Sequence, residues 1–353
     1  MKIVFFSNNI QNAIHFRLPL INFLNKKKHK IFLITFEKEN LKKKKELKKY
    51  FHQIYYINES RINLINLIKS IYKVYNILNF LKPKLILSFT LQANIVSAIL
   101  SNLMSFKFII NITGLGSYFI SSNKYLSYFL KLILKSSKNF IFQNKYDKEF
   151  FFNKLNIKKK KIFIIPSLGI RILKTNNKYK TRKDVKFLMV SRILKDKGVI
   201  EYLDSSNFIS KNKSAKFYLV GNLDKSNPSR ISKDKFMNLL KSSNVKYLGY
   251  INNVQKIMYN YDCIILPSYR EGLSKTLLEA GVNGVPVITT NVPGCKDIVQ
   301  NRVNGLICEP KSVKSLVNSI NIFLNLSYKE KKKLSNKSIA IIKRKFNQDK
   351  ILK

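Results

Sequence analysis

Four side chains in the carboxy-terminal half of this 353-residue sequence have the types and spacing to handle a phosphorylated, hydroxyl-rich molecule. In "KFLMVSRILKDKGV", Arg192 stands just past an apolar, strand-like run, and Lys197 with Gly198 directly precedes a helical pattern. A guanidinium is a planar fork that matches phosphate oxygens, an ammonium is a mobile point charge, and a helix start adds unpaired backbone N–H groups. Together they suit a diphosphate. Further on, "IILPSYREGLSKTLLEAGVNGVPVI" carries Glu271 and Glu279, with Gly272, Leu273 and Ser274 between them. A helix covering that interval would put the two carboxylates about 12 Å apart at a rise of ~1.5 Å per residue. A pair that cleaves a glycosidic bond stands about 5 to 9.5 Å apart. The wider spacing instead suits two acids that hold hydroxyls, which are donors in need of acceptors, at opposite ends of one ligand. The competing reading makes Arg192 and Lys197 surface cations, Glu279 a helix-surface partner of a lysine, and Glu271 an acid answering a helix dipole.

These residues follow apolar runs that read as strands. In the first half the runs are "KIVFFS", "KIFLITF", "QIYYIN", "KLILSF", "KFIINI", "NFIFQN" and "KIFIIPS"; after residue 185 they are "KFLMVS", "KFYLVG", "VKYLGY", "CIILPS", "VPVITT" and "GLICEP". Most neighbours are separated by helix-compatible sequence. Continuous apolar strands alternating with helices imply parallel sheets covered on both faces. The polar, basic stretch "LGIRILKTNNKYKTRKD" separates the two series. The expected architecture is therefore two doubly wound α/β domains, 1–167 and 185–353, with a linker at 168–184 and a last helix free to pack back on the first domain. In such sheets ligands bind at the carboxyl ends of the strands. The uncharged stretch from Leu85 to Phe106 contains Ser, Thr, Gln and Asn, and breaks into a strand and a helix, so it reads as buried core and not as a membrane span.

Composition adds a question. The chain holds 66 Lys and Arg against 19 Asp and Glu, a formal charge of +47. A polyanionic partner or an anionic membrane surface would account for it, and so would an A+T-rich coding bias, since Lys, Asn and Ile are abundant even in patternless loops and Trp is absent. The basic residues are scattered and not striped, and no nucleic-acid-binding module is recognisable, so no nucleic-acid partner is expected. Cys263, Cys295 and Cys308 have spacings that suit neither a disulfide framework nor a zinc site and read as buried, reduced thiols of a cytoplasmic protein. "MKIVFFSNNI" does not read as a signal peptide. His15, at the start of the first helix, is a candidate site residue expected to face the cleft between the domains.

In their order, "SR...KDKG", "YLVG", "VKYLG", "LPSYREG", "EAGVNGVPVITT", "PG" and "NGLI" resemble the retaining glycosyltransferases of family 4, whose signature is two glutamates separated by seven residues. The resemblance implies a GT-B fold, two Rossmann-like domains facing a central cleft. It also implies that Glu279 hydrogen-bonds the ribose of a UDP-sugar donor, that Arg192 and Lys197 neutralise its diphosphate, and that Glu271 contacts the transferred sugar beside Gly272, Leu273 and Ser274. The amino-terminal "NNIQNAIHFRLPLI", "NITGLGSYFI" and "FIFQNKYD" are similar to bacterial enzymes that add N-acetylgalactosamine or a related hexose to a polyprenyl-diphosphate-linked sugar. By that resemblance His15 and the Gly114-Leu115-Gly116 turn belong to the site, the acceptor is lipid-linked, and the enzyme sits peripherally on the cytoplasmic face of the inner membrane. Gly114 and Gly116 would let backbone N–H groups approach an anion closely, or form an ordinary tight turn. Two positions depart from the family: Thr113 stands where many members have His, and Gly169-Ile170 is followed by Arg171 where Asp is common.

The expected reaction is transfer of a hexose or N-acetylhexosamine to an acceptor hydroxyl with retained configuration. No Asp-x-Asp stands at a strand end, so neither a metal nor another cofactor is expected. The family implies that the leaving phosphate takes the acceptor proton. Two basic, apolar stretches, residues 61–82 and 123–140, would suit an interfacial helix on anionic lipid. A GT-B sugar-nucleotide epimerase, a basic nucleic-acid-binding protein and an inactive scaffold are the alternatives.

Overall fold

Strands form here where β-branched and aromatic residues run unbroken, because a strand covered on both faces can be apolar at every position. The computed structural model describes residues 1–39, 47–59, 63–113, 139–155, 161–172, 184–209, 214–224 and 227–353. They fall into two units, Met1–Leu168 with Leu352–Lys353, and Gly169–Ile351. Every run read as a strand from the sequence is one.

The first unit contains β1 (Lys2–Ser7), α1 (Ile10–Lys26), β2 (Lys30–Thr35), β3 (Gln53–Tyr56), α2 (Leu64–Leu81), β4 (Leu85–Ser88), α3 (Leu91–Leu103), β5 (Lys107–Ile112), β6 (Asn139–Phe142), α4 (Lys145–Leu155) and β7 (Lys161–Ile164). The strands hydrogen-bond in the order β3-β2-β1-β4-β5-β6-β7, all parallel. Alternation along β1 divides the core: Ile3 and Phe5 pack with Ile10, Ala13 and Ile21 of α1, while Val4 and Phe6 pack with Leu67, Val74 and Leu78 of α2. Leu85–Phe106 resolves into β4 and α3 as expected, and no helix among the described residues is long and apolar enough to cross a membrane.

The second unit runs β8 (Val185–Val190), a 3-10 turn (Lys195–Lys197), α5 (Val199–Ile209), β9 (Ala215–Val220), α6 (Lys233–Lys241), β10 (Val245–Tyr247), α7 (Gln255–Met258), β11 (Cys263–Leu266), α8 (Lys275–Val282), β12 (Val287–Thr290), β13 (Gly305–Cys308), α9 (Val313–Asn325), α10 (Tyr328–Lys345) and α11 (Gln348–Ile351). Its parallel sheet has the order β10-β9-β8-β11-β12-β13. Phe187 and Met189 of β8 face a cluster with Tyr202 and Leu203 of α5; Leu188 faces one with Leu277 and Leu278 of α8. In both sheets consecutive strands are laid down on one side before the chain crosses to the other, which makes the β1/β4 and β8/β11 junctions switch points, where such folds open a crevice.

The expected linker is partly structured. Ile170 is buried and bridges to Asn347: its N–H donates to the Phe346 carbonyl at 2.8 Å, and its own carbonyl accepts from Gln348 N–H at 3.1 Å. Residues 173–183 lie outside the described ones. Ile342 of α10, the last long helix, and Phe346 beyond it belong to the core cluster of the second unit. The three cysteines are free and buried; burial pushes the Cys295 and Cys308 thiols up to about 12 and Cys263 well above its ordinary value.

Candidate active site

The loops that follow β8 and β11 are locked together by backbone geometry. After β8 the chain passes through Arg192 and the 3-10 turn to Gly198, whose φ of 72° is left-handed. A Cβ there would lie 2.1 Å from the carbonyl oxygen of Pro267, so only glycine allows this loop to close on the end of β11. The Asp196 carbonyl accepts from Tyr269 N–H at 2.8 Å and from the Ser268 hydroxyl at 3.1 Å, and Thr276 of α8 donates to the Val190 carbonyl at 3.2 Å. Gly294, at φ 77°, presses on the other side: a Cβ on it would stand 2.5 Å from the Glu271 carbonyl oxygen and 2.6 Å from that of Gly272.

This brings Lys197 and Glu271 together. The lysine Nζ lies 2.7 Å from the carboxylate Oε1, with the two side chains only 18% and 14% exposed. Arg192 is paired as well, its guanidinium donating at 2.7 Å to Asp224, which follows β9, but it is 55% exposed. Asp196, between the two cations in sequence, has its carboxyl pushed up by burial against the opposing pull of Lys197 and Arg192, and its Oδ1 is buried with no hydrogen-bond partner. Tyr269 donates its phenol proton to Glu201 on α5; burial first, and then that hydrogen bond, holds the phenol well above its ordinary value.

Glu279 sits further along α8. Its carboxylate is 3.6 Å from Lys275 one turn earlier, and burial raises its pKa from the ordinary 4.5, the lysine opposing the shift. Two expectations need correction. The helix does not cover the interval between the acids: it starts at Lys275, because Ser274 is the N-cap and its Oγ accepts Leu277 N–H at 3.4 Å, so Glu271 lies in the preceding loop and a spacing derived from helical rise does not apply. Both acids also meet cations in the structure: Lys275 beside Glu279 is the lysine partner of the competing reading, whereas Lys197 beside Glu271 was expected by neither.

Of the other expected site residues, Gly272 lies beside Glu271 under the Gly294 turn, Leu273 packs on the second unit's core, and Ser274 is buried and occupied by capping. His15 is exposed on α1, its ring edge-on to Phe16 at 4.9 Å. Gly114 and Gly116 lie outside the described residues; Thr113, just before them, donates to the Phe89 carbonyl at 3.4 Å. Asp196, Asp224 and Glu201 were not picked out in the sequence, and Tyr269 was read only as a residue at the end of a strand. Asp224 in "GNLD" follows a strand and could have been found by inspecting every strand end; the Tyr269–Glu201 contact has no local signal.

Two cations after β8 and an acid after β11 therefore flank one switch point, with a second acid on the helix beyond. That arrangement can take a diphosphate and hydroxyls together, and with two parallel α/β units it defines a glycosyltransferase of the GT-B fold. The matches to known proteins agree. Residues 172–340 match the family model "Glycosyl transferases group 1" and residues 2–144 match "Glycosyl transferase 4-like", and the chain belongs to the glycosyltransferases built from these two domains. An N,N'-diacetylbacillosaminyl-diphospho-undecaprenol alpha-1,3-N-acetylgalactosaminyltransferase of Campylobacter jejuni is 29% identical over 346 residues, 92% of this chain and 89% of the relative. A UDP-Gal:alpha-D-GlcNAc-diphosphoundecaprenol alpha-1,3-galactosyltransferase of Escherichia coli is 28% identical over 49% of this chain and 48% of its own length. Among solved structures, Anabaena HepE in complex with UDP and glucose superposes with a TM-score of 0.79 at 18% identity, covering 99% of this chain and 97% of that one. The sucrose-phosphate synthase of Thermosynechococcus elongatus does so with 0.79 at 16% identity, covering 100% and 96%. At these identities the structural likeness speaks for the fold.

Proposed function

We propose that the protein moves a hexose or N-acetylhexosamine from a UDP-sugar to a polyprenyl-diphosphate-linked sugar, with retention of configuration, in the synthesis of bacterial surface or glycoprotein glycans. The observation that carries the donor half is the Lys197–Glu271 pair at the β8/β11 switch point, with Arg192 beside it. A diphosphate arriving there would exchange Glu271 for its own oxygens on Lys197 and Asp224 for its own oxygens on Arg192. Fixed cations aimed at the departing diphosphate stabilise charge as it develops. Glu271, released, accepts from hydroxyls of the transferred sugar, and Glu279 accepts from the ribose. These cations meet the diphosphate charge without a metal, so chelation with EDTA is expected to leave turnover intact.

The acceptor half is supported by the relative from C. jejuni, which spans most of the chain and is named for a diphospho-undecaprenol substrate. Lipid attachment calls for a surface that meets the membrane, and α2 offers one: Leu64, Ile68 and Tyr72 are exposed on successive turns, with Ile65 and Phe80 also outward and Lys69 among them. The reading therefore includes peripheral attachment to the cytoplasmic face of the membrane. The second basic stretch, 123–140, falls almost wholly outside the described residues.

The test is a UDP-release screen across UDP-hexoses and UDP-N-acetylhexosamines, with synthetic undecaprenyl-diphosphate sugars as acceptors and the anomeric configuration read by NMR. Release that depends on the acceptor, with an α-linked product from an α-linked donor, is expected. Conversion of the UDP-sugar without acceptor would make the protein an epimerase instead.

A further inference from the structure

Arg17 is a buried cation that the donor site does not use. It lies on α1, is 7% exposed, and its guanidinium carbon sits 4.6 Å from the ring centre of Phe89 and 5.5 Å from that of Phe16. Among the described residues it makes no ion pair and no hydrogen bond. Burial lowers its pKa from the ordinary guanidinium value to about 10, so it remains charged at neutral pH. Stacking on aromatic faces offsets some of the cost of taking a guanidinium out of water, but it leaves the in-plane N–H donors unanswered. Buried charges are normally paired, so a guanidinium held this way is suited to an opposite charge that arrives with a ligand.

Its position says where that charge would come from. Phe89 directly follows β4: its N–H donates to the Phe6 carbonyl at 3.0 Å and its ring lies tilted against that of Phe5, with centres 5.3 Å apart. Arg17 is thus fixed at the carboxyl ends of β1 and β4, the switch point of the first sheet, where doubly wound folds bind ligands. The strand ends there are polar, since Ser7 closes β1 and Ser88 closes β4, both with buried hydroxyls that lack a partner. The nearby start of α1 is already satisfied: Glu37 accepts Ile10 N–H at 2.9 Å and Asn9 accepts Asn12 N–H at 2.7 Å. Glu37 is thereby engaged in capping the helix, and the guanidinium is left as the unspent charge.

We propose that Arg17 is the anion anchor of the first unit and grips a diphosphate oxygen of the lipid-linked acceptor. This inference rests on the acceptor class proposed above. It divides two diphosphates between two basic sites: Arg192 and Lys197 hold the one that leaves with the nucleotide, and Arg17 holds the one that stays with the acceptor lipid.

Steady-state kinetics of Arg17→Gln and Arg17→Lys test it with two acceptors that carry the same sugar, one on polyprenyl diphosphate and one on an uncharged alkyl chain. Arg17→Gln is expected to raise KM for the diphosphate acceptor about ten- to a hundredfold, the range of one charge-assisted hydrogen bond. It should leave KM for the alkyl glycoside and for the UDP-sugar unchanged, with Arg17→Lys between. Equal losses on both acceptors would mean that Arg17 only packs the fold, and a rise confined to the UDP-sugar KM would place it on the donor; either result overturns the proposal. A second arm needs no turnover. With UDP saturating the donor site, inorganic pyrophosphate should raise the melting temperature of the wild-type chain and raise it less for Arg17→Lys. No shift in the wild type overturns the anchor even if the variants misfold. A wild-type chain that is protected by pyrophosphate yet transfers no sugar to any diphosphate acceptor would instead overturn the proposed function and leave the anion site standing.

Discussion

Lys197 Nζ and Glu271 Oε1 are 2.7 Å apart although 74 positions separate them in the chain. On the proposed function, each residue occupies the place that a phosphate oxygen and a sugar hydroxyl would take from the other, so the pair keeps both groups in position and compensated at a mostly buried site. Lys197→Ala is expected to lower turnover more than it weakens UDP-sugar binding, because the ammonium's worth grows as charge develops on the leaving diphosphate. Arg192→Ala should act in the same direction while leaving the melting temperature unchanged, since its pair with Asp224 is half exposed and contributes little to folding. Initial rates and thermal melts on the same preparations check both. Losses confined to KM would make the two residues ground-state binders only.

Gly294 controls the same pair at one remove. An alanine there must hold a left-handed φ and place its Cβ 2.5 Å from the Glu271 carbonyl oxygen. The backbone strain alone costs about 1–3 kcal/mol, and relieving the clash moves the Glu271–Gly272 backbone. Gly294→Ala should therefore lower both stability in urea and turnover, the latter through a displaced Glu271. Unaltered unfolding would contradict the tight approach.

Glu279 sets a pH dependence. Its carboxyl is raised above the ordinary 4.5 by burial, so the folded chain binds its proton more readily than the unfolded chain does. The sign follows: this group's contribution to stability declines as pH rises from the unfolded value through the raised folded one, and the charged form is a net cost at neutral pH. The charged form is the stronger acceptor for two ribose hydroxyls, since both of its oxygens accept and neither must donate. UDP affinity, measured by calorimetry, should fall on acidification through the raised pKa. Glu279→Gln should weaken UDP binding by about 1.5–3 kcal/mol at neutral pH, flatten that part of the profile, and leave folding stability the same or higher. A variant with wild-type affinity would remove Glu279 from the donor site.

The strands were legible because both sheets are parallel and covered on both faces, so that β1 or β8 reads as apolar at nearly every position. Arg192, Lys197 and Glu271 were legible as residues at strand ends, but their partners were not. Which strand lies beside which is a tertiary fact, and only the β8/β11 adjacency brings Lys197 to Glu271. That a helix follows Glu271-Gly272 was legible, and Ser274 carries its N-cap signal; the spacing of about 12 Å fails because it needs helix over the whole interval between the glutamates. Arg17 was legible only as a member of the run that carries the amino-terminal resemblance, with nothing to mark it as buried. Within "HFRLP" it looks like one of many basic residues, and its burial depends on Phe89, which arrives from the far side of the sheet's switch point.

The outer face of α2 provides the remaining test. Leu67, Val74 and Leu78 already cover the sheet, so the exposed Leu64, Ile68 and Tyr72 are not needed for the core. Apolar side chains on successive turns beside the exposed Lys69 form a helix face that can lie in a lipid interface, the apolar groups inserted and the lysine toward anionic head groups. Intact protein is expected to float with phosphatidylglycerol vesicles at low salt and to release as salt rises. Ile68→Glu with Tyr72→Glu should abolish flotation without changing the melting temperature, because both side chains are solvent-exposed. If the intact chain and the double variant float equally, α2 is not the attachment face; if neither floats, the acceptor must be met away from the membrane, and the lipid-linked reading loses its support.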